Sequence, residues 1–470
     1  MKILTAAQMR EVDERTCAAG IPYIVLMENA AHRVVEAMER EFSPLSEHRI
    51  LIFCGAGNNG GDGLAIARLL WIRFRPAALD VVVANDPHHQ VNLLRATGFT
   101  NIHKEVHAEA RLTTIVVDAL LGTGTVGAPR GRIRDFIASI NTNFPLAKVV
   151  SVDLPSGCDA DSGEAEGEQV RADLTVTFTA PKPCHLLGAG LGKVIVSPIG
   201  TSEAMLDETR LFENEPRLWR RLLAPRDPKG HKGTYGHVLV IGGAAGKTGA
   251  AAMTGLAALR MGAGLVTVAS SACALPVPEL MTLPLDSDWN AMVKDSVAIG
   301  PGLGENQLVP AFVQHCPAPM VVDADGLNML ARARPNWYGA PRVFTPHPGE
   351  MERLLGRPVE DRIADAQDFA ADWGVILVLK GHRTVIAHPD GRIAINPTGS
   401  PALATAGSGD ILTGLIATLL AQTDDAWEAA LAGVYLHGLA GELAGAELTD
   451  ACVIATDLLR YLPEAIRRCG

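Results

Sequence analysis

Two stretches of this chain set ionisable side chains among glycines, where the backbone can come close to a ligand. The first is GAGNNGGDG at 55–63, directly after the apolar run Ile50–Cys54. Its glycines permit tight turns. Asn58 and Asn59 bring amide donors and acceptors, and Asp62 brings a carboxylate near the start of the next helix. The spacing is neither GxGxxG nor a P-loop, so neither a dinucleotide fingerprint nor a Walker motif is matched. Two further apolar runs end in a similar way. VVDALLGTGTVG carries Asp118 and then Gly122, Gly124 and Gly127, and VVSVDLPSG carries Asp153 and Ser156. Parallel strands would bring these exits to one rim. A lone Asp at a strand end reads equally as a helix cap; three polar exits together point to a site.

The second stretch is ATAGSGDILTG at 404–414. Gly407, Ser408 and Gly409 put amide groups at the amino end of an apolar helix, a natural receptor for phosphate oxygens. Asp410 at that end can deprotonate or orient a hydroxyl beside a transferred phosphorus. A capped helix is the plainer reading, but small residues running straight into a carboxylate favour chemistry. Lys380 in LKGHRT suits nucleotide phosphate, whereas Thr384 fits equally as a β-branched strand residue. HVLVIGGAAGKTGAA lacks the complete Walker pattern, and its small residues serve close packing as well as anion binding. His347 stands between two prolines in TPHPGE, which favours an exposed, positioned role. Asp323 and Asp325 in DADGLN read as helix caps as readily as ligands.

These residues need strands to carry them. Helical spacing runs through TAAQMREVDERT and from Ile24 to about Met38. Strands are predicted at 50–54, 79–84, 114–119, 148–153, 173–178 and 193–198. Several are continuously apolar, as in a parallel sheet covered on both faces. A doubly wound, Rossmann-like α/β sandwich over 1–205 follows. Charge and proline then mark 206–224 as a linker in which LWRRLL suggests a short helix. A second α/β domain occupies 225–470, with strands in HVLVIGG, LVTVAS, SVAIGPG, PMVVDAD, RVFTPHP, VILVLKG and TVIAHP and a helix over about 410–420.

Composition narrows the partners. Forty-one Lys and Arg against 52 Asp and Glu give a net charge of -11, which excludes a general nucleic-acid binder. The eight cysteines are scattered without a CxxC pair, against a disulfide framework or structural zinc. Charged residues precede any long apolar run at the N-terminus, and the Gly/Ala-rich stretch 250–269 is broken by Arg260. A reduced, cytoplasmic protein with no membrane partner is expected.

GAGNNGGDG, VVDALLGTG and VDLPSG closely resemble the N-terminal, YjeF-type domain of NAD(P)H-hydrate epimerases, to about residue 200. That resemblance implies interconversion of R and S hydrates (NADHX and NADPHX) at C6. It further implies that Asn58, Asn59, Gly60, Gly61 and Asp62, with Gly122, Thr123, Gly124, Thr125, Val126, Gly127 and Ala128, line the substrate. Asp153 is then the catalytic acidic group nearest the ring, and Asn59, Asp118 and Ser156 hold a potassium ion.

HKGTYGHVLVIGG, GAGLVTV, GPGLG, VDADGLN, TPHPGE, LKGHRTVI and NPTGSPALATAGSGD resemble the ribokinase-like C-terminal domain of ADP-dependent NAD(P)H-hydrate dehydratases. The implication is that Ala251, Gly302, His347 and Asp410 contact the hydrate and that Asp410 is the base. Lys380, Gly381, His382, Arg383, Thr384 and Gly409 would contact ADP, with Mg²⁺ on the nucleotide. The usual GGTGD reads AGSGD here. Homo-oligomerisation is a further implication. The competing reading is a small-metabolite kinase with a separate nucleotide-sensing domain.

Overall fold

The computed structural model describes residues 1–84, 90–125, 127–206, 209–272, 275–334, 336 and 339–470, which form two compact units. In the first, Lys2–Thr209, the helix Ala6–Ala18 begins at a Thr5/Gln8 capping box, and a second helix spans Tyr23–Phe42. The apolar runs become parallel strands β1 (Arg49–Cys54), β2 (Ala78–Val83), β3 (Ile102–His103), β4 (Ile115–Ala119), β5 (Lys148–Val152), β6 (Leu174–Phe178) and β7 (Lys193–Ser197). Their order is β3-β2-β1-β4-β5-β6-β7. Every residue of β4 and β6 is buried, because helices cover both faces. Ile52, Val34 and Ile66 belong to the core on one side, and Phe53, Val116 and Phe136 to that on the other. The chain reverses its direction of winding between β1 and β4, so the loops after these strands diverge and leave a crevice at their carboxyl ends.

The second unit, Arg210–Gly470 with Met1, repeats the arrangement at larger scale. Its strands are β8 (Leu211–Glu213), β9 (His237–Ile241), β10 (Leu265–Ser270), β11 (Met281–Pro284), β12 (Ser296–Ile299), β13 (Met320–Val322), β14 (Arg342–Phe344), β15 (Ile376–Leu379), β16 (Val385–Ala387) and β17 (Ile393–Ile395). The order is β11-β10-β9-β12-β13-β14-β15-β16-β17-β8. β11 to β15 are parallel, β16 is antiparallel to both neighbours, and β8 lies parallel to β17. Here the winding reverses between β9 and β12. The helices Ser408–Leu420 and Ala426–Leu448 are apolar on most sides and lie buried in the main core.

The predicted strands reappear within a residue or two. The four overlooked ones, β3, β8, β11 and β17, have only two to four residues each, too few for a period to show. Within 206–224, expected as a linker, residues 211–223 fold into the second unit. Leu211–Glu213 closes its sheet, and in place of one helix over LWRRLL there are two short 3₁₀ turns, Pro216–Leu218 and Arg220–Leu223. Apolar anchors override the local charge: Trp219 is fully buried, and its Nε1 donates to Asn214 Oδ1 at 3.0 Å. No helix among the described residues is long and apolar enough to cross a membrane.

Candidate active sites

At the first reversal β1 ends in Gly55–Gly57 and the helix Asn58–Arg73 begins at once. A Cβ on Gly55 would lie 1.9 Å from Leu120 O, so only glycine lets the two diverging loops pass. A cavity of about 450 Å³ opens there. Asn58, Asn59 and Asp62 line it from the helix, Gly122, Thr123, Gly124 and Thr125 from the loop after β4, and Asp153 from the end of β5. Gly60 and Gly61 are buried behind this wall. Gly127 faces an adjacent cavity of about 250 Å³, Ala128 is exposed, and Val126 lies outside the described residues.

Asp153 is the best-organised group in the cavity. Its backbone sits in the left-handed region at φ 68°, an unusual position for a side-chain-bearing residue and one that Asp tolerates better than most. Lys182, 1% exposed, donates from Nζ to Asp153 Oδ1 at 2.6 Å, and Thr177 Oγ1 donates to the same oxygen at 2.9 Å. His185 accepts from Lys182 N through Nδ1 at 2.8 Å. That acceptor role leaves the proton on Nε2, which donates to Asp153 O at 2.7 Å. Burial lowers the His185 pKa to about 4, so the ring is neutral. Burial alone would lift the Asp153 carboxyl, yet the charge and hydrogen bond of Lys182, with the hydrogen bond of Thr177, hold it below the usual range. Burial pushes Asp62 well above the usual range, with Asp153 and Asp13 adding to the effect, and raises Asp13 to about 6.

Behind the cavity Asp118 is fully buried. Its Oδ1 accepts from Ser156 Oγ at 2.5 Å and Leu120 N at 3.3 Å; its Oδ2 accepts from Ser156 N at 2.8 Å and Ser151 Oγ at 3.0 Å. Burial still raises its pKa despite these donors. Asn59 Nδ2 donates to Leu121 O at 2.7 Å, and Leu121 N donates to Ser156 Oγ at 2.9 Å, so the three residues form one cluster. Asn59 Oδ1 is buried with no hydrogen-bond partner. An orphaned amide oxygen in a cluster that also holds a buried carboxylate fits a large monovalent cation, which favours neutral oxygen donors.

The second reversal repeats the device: a Cβ on Gly242, just after β9, would lie 2.2 Å from Pro301 O, just after β12. Around it β13 delivers Asp323, β15 delivers Lys380, and the helix Ser408–Leu420 delivers Gly409 and Asp410. Lys380 Nζ donates to Asp323 Oδ1 at 2.8 Å and lies 3.9 Å from Glu350 Oε2. Thr413 Oγ1 donates to Asp323 Oδ2 at 2.8 Å. Asp323 is therefore the lysine's partner rather than a helix cap. A Cβ on Gly409 would be 3.3 Å from Lys380 Nζ, so the glycine lets the ammonium lie against the first helical turn. Burial raises the Asp410 pKa to about 7; the charge of Asp323 adds to this and Lys380 partly offsets it. His437 Nε2 meets Ser408 O at 2.9 Å and ties the loop down.

The remaining expected residues divide. His347 caps the helix Pro348–Leu355, with its side chain half exposed and Nε2 3.6 Å from Glu350 Oε1. Gly302, at φ 59°, packs against Lys247 and Ala250 at the start of the helix Thr248–Met261. Gly381 and His382 are exposed, with Arg383 and Thr384 half-buried beside them. Arg362 fixes this turn by donating to His382 O at 2.7 Å and Arg383 O at 3.1 Å. Ala251 has no exposed surface and packs beneath Gly243, so it supports the site without lining it. Sequence reasoning missed Lys182, His185, Asp13, Glu350 and His437. Lys182 carried a usable signal, a lysine between two prolines directly after an apolar strand.

Comparison with known proteins matches residues 24–184 to the family described as YjeF-related protein N-terminus and residues 238–464 to NAD(P)H-hydrate dehydratase. The bifunctional NAD(P)H-hydrate repair enzyme Nnr of Moorella thermoacetica is 40% identical over 99% of this chain and 97% of its own length. The Escherichia coli K12 protein of the same name is 37% identical over 88% and 84%. Among solved structures, the ADP/ATP-dependent NAD(P)H-hydrate dehydratase of Bacillus subtilis, co-crystallised with ATP/Mg²⁺, is 35% identical with a TM-score of 0.51. That match covers 55% of this chain and 99% of the other.

Proposed function

The chain belongs to the bifunctional NAD(P)H-hydrate repair enzymes, and from that premise we propose how its two sites divide the repair. The N-terminal cavity interconverts the R and S hydrates at C6, with Asp153 as the ionised group that accepts a proton. The C-terminal site dehydrates the S hydrate at the expense of ADP. Hydroxide is a poor leaving group, so the hydroxyl is first phosphorylated. Asp410 takes its proton as the oxygen attacks the terminal phosphorus, and AMP departs. Phosphate then leaves with the C6–O bonding pair as the ring nitrogen supplies electrons, and the resulting iminium loses its C5 proton to solvent, so that the C5–H pair becomes the C5–C6 double bond and NAD(P)H is restored. The amides of Gly407–Gly409 and the ammonium of Lys380 bind and orient the phosphates, while His347 and Gly302 face the hydrate. Mg²⁺ rides on the nucleotide and offsets oxygen charge. Support comes above all from one observation: each unit gathers its own ionisable cluster at its own sheet reversal.

Asn59, Asp118 and Ser156 would hold a potassium ion, whose charge orders the loops around the first cavity when bound; the orphaned Asn59 Oδ1 supports this. The exposed apolar run Tyr23, Ile24 and Val25 supports a homo-oligomer, which sedimentation tests, and we place the enzyme in the cytoplasm. The deciding experiment supplies separated R and S NADH hydrates with and without ADP and Mg²⁺. Isomerisation without nucleotide, NADH recovery only with it, and release of AMP and phosphate are expected. A stable phosphorylated product would turn the reading to a kinase.

A further inference from the structure

Epimerisation at C6 asks for more than one carboxylate. C6 bears the hydroxyl and is bonded to N1, so it is a hemiaminal carbon. Inverting it by opening and reclosing the ring moves two protons, one leaving the hydroxyl and one arriving at N1. Asp153 suits the first, since Lys182 and Thr177 both donate to it and hold it as an acceptor. Asp62, on the helix Asn58–Arg73, and Asp13, on the helix Ala6–Ala18, line the same cavity of about 450 Å³. Asp13 Oδ1 is buried with no hydrogen-bond partner. The other charged or titratable groups around Asp62 are Arg10, Tyr23, the Cys54 thiol at the end of β1, and Lys182. Arg10 is exposed, and Lys182 is engaged by Asp153, so no buried cation is left over for Asp62. Burial first, then the charges of Asp153 and Asp13, favour its protonated form.

We infer that Asp62 is the proton donor to N1, opposite Asp153 as the proton acceptor, with Asp13 as the positioning residue beside it. The inference rests on reading the N-terminal unit as the epimerase. In the forward half, Asp153 takes the hydroxyl proton, the O–H pair becomes the second C–O bond, and the C6–N1 bond breaks. Its pair goes to N1, which takes the proton from Asp62. Rotation about C5–C6 presents the other carbonyl face. N1 then attacks C6, Asp62 recovers its proton, and Asp153 returns its own to the oxygen. Atoms and charge balance, and no water or co-reactant is consumed. Two carboxyls of opposite protonation in one cavity are what such an exchange requires.

The test follows isomerisation of pure (R)-NADH hydrate by the full chain, without nucleotide and corrected for the spontaneous rate, across a pH series. Asp62→Asn should lower kcat by about 100-fold or more and change KM by less than about threefold. Asp13→Asn should move the alkaline limb of the profile to lower pH, because loss of a neighbouring negative charge lets Asp62 ionise sooner. A merely structural role would leave that limb in place. A kcat for Asp62→Asn within about threefold of the parent, or an unmoved limb in Asp13→Asn, overturns the inference. Should Asp62→Asn fail to fold, Asp62→Glu decides: turnover with a displaced alkaline limb supports the donor role, and an unchanged limb overturns it. A parent chain with no isomerisation above the spontaneous rate would overturn the epimerase reading itself, and this inference with it.

Discussion

Burial raises the Asp410 carboxyl to about 7, close to the working pH, which suits a general base. Since the base must be ionised, dehydration of the S hydrate should weaken as pH falls through about 7. Asp323→Asn removes a like charge and releases Lys380 toward Asp410, so the acid limb of kcat/KM should shift to lower pH. Asp410→Ala should cost dehydration about 10²–10⁴-fold while R-to-S exchange persists; assaying both reactions on one preparation checks this. Asp153→Asn keeps an acceptor but loses the anion. NADH recovery should then be slow from the R hydrate and near the parent rate from the S hydrate. The carboxylates that follow glycine loops were legible in sequence because their neighbours are unusual. Asp13 was not, since MREVDER reads as an ordinary exposed helix face and only the tertiary fold turns that residue inward. Asp323 looked like a cap because its partner, Lys380, lies 57 residues away.

At the level of elements, both reversals rest on a glycine whose missing Cβ lets two loops touch. Gly55→Ala and Gly242→Ala should each force their loops apart, at about 1–3 kcal/mol of stability and about 100-fold in rate. Gly55→Ala should impair epimerisation and Gly242→Ala dehydration, each leaving the other activity in place, as paired rate measurements would show. His437, held neutral by burial that lowers its pKa to about 4, anchors the Ser408 carbonyl. His437→Ala should raise the KM for ADP more than it lowers kcat, and His437→Gln should recover part of it. The long, wholly apolar strands were legible because burial on both faces writes a continuous run. The reversals were not, because strand order depends on which helix crosses which face, and no local pattern records that.

For the whole molecule, the division into two α/β halves could be read from the restart of the strand pattern after a charged, proline-containing segment. What could not be read is which half owns that segment. Leu211–Glu213 pairs with β17, and Trp219 fills the second core against Tyr435, with ring centroids 5.3 Å apart. Trp219→Ala should therefore cost about 3–5 kcal/mol and lower the melting transition of the dehydratase half, which calorimetry resolves. A fragment 225–470 should be less stable than 210–470 for the same reason. Thr209 still donates to Ile3 O in the first unit, while Leu211 already belongs to the second. A gene fission that kept both activities would thus have to fall within a residue or two of Arg210. A break after Glu213 would instead leave the second daughter protein without Leu211–Glu213, the edge strand of its sheet, so a fission point is confined to the few residues that join the two units.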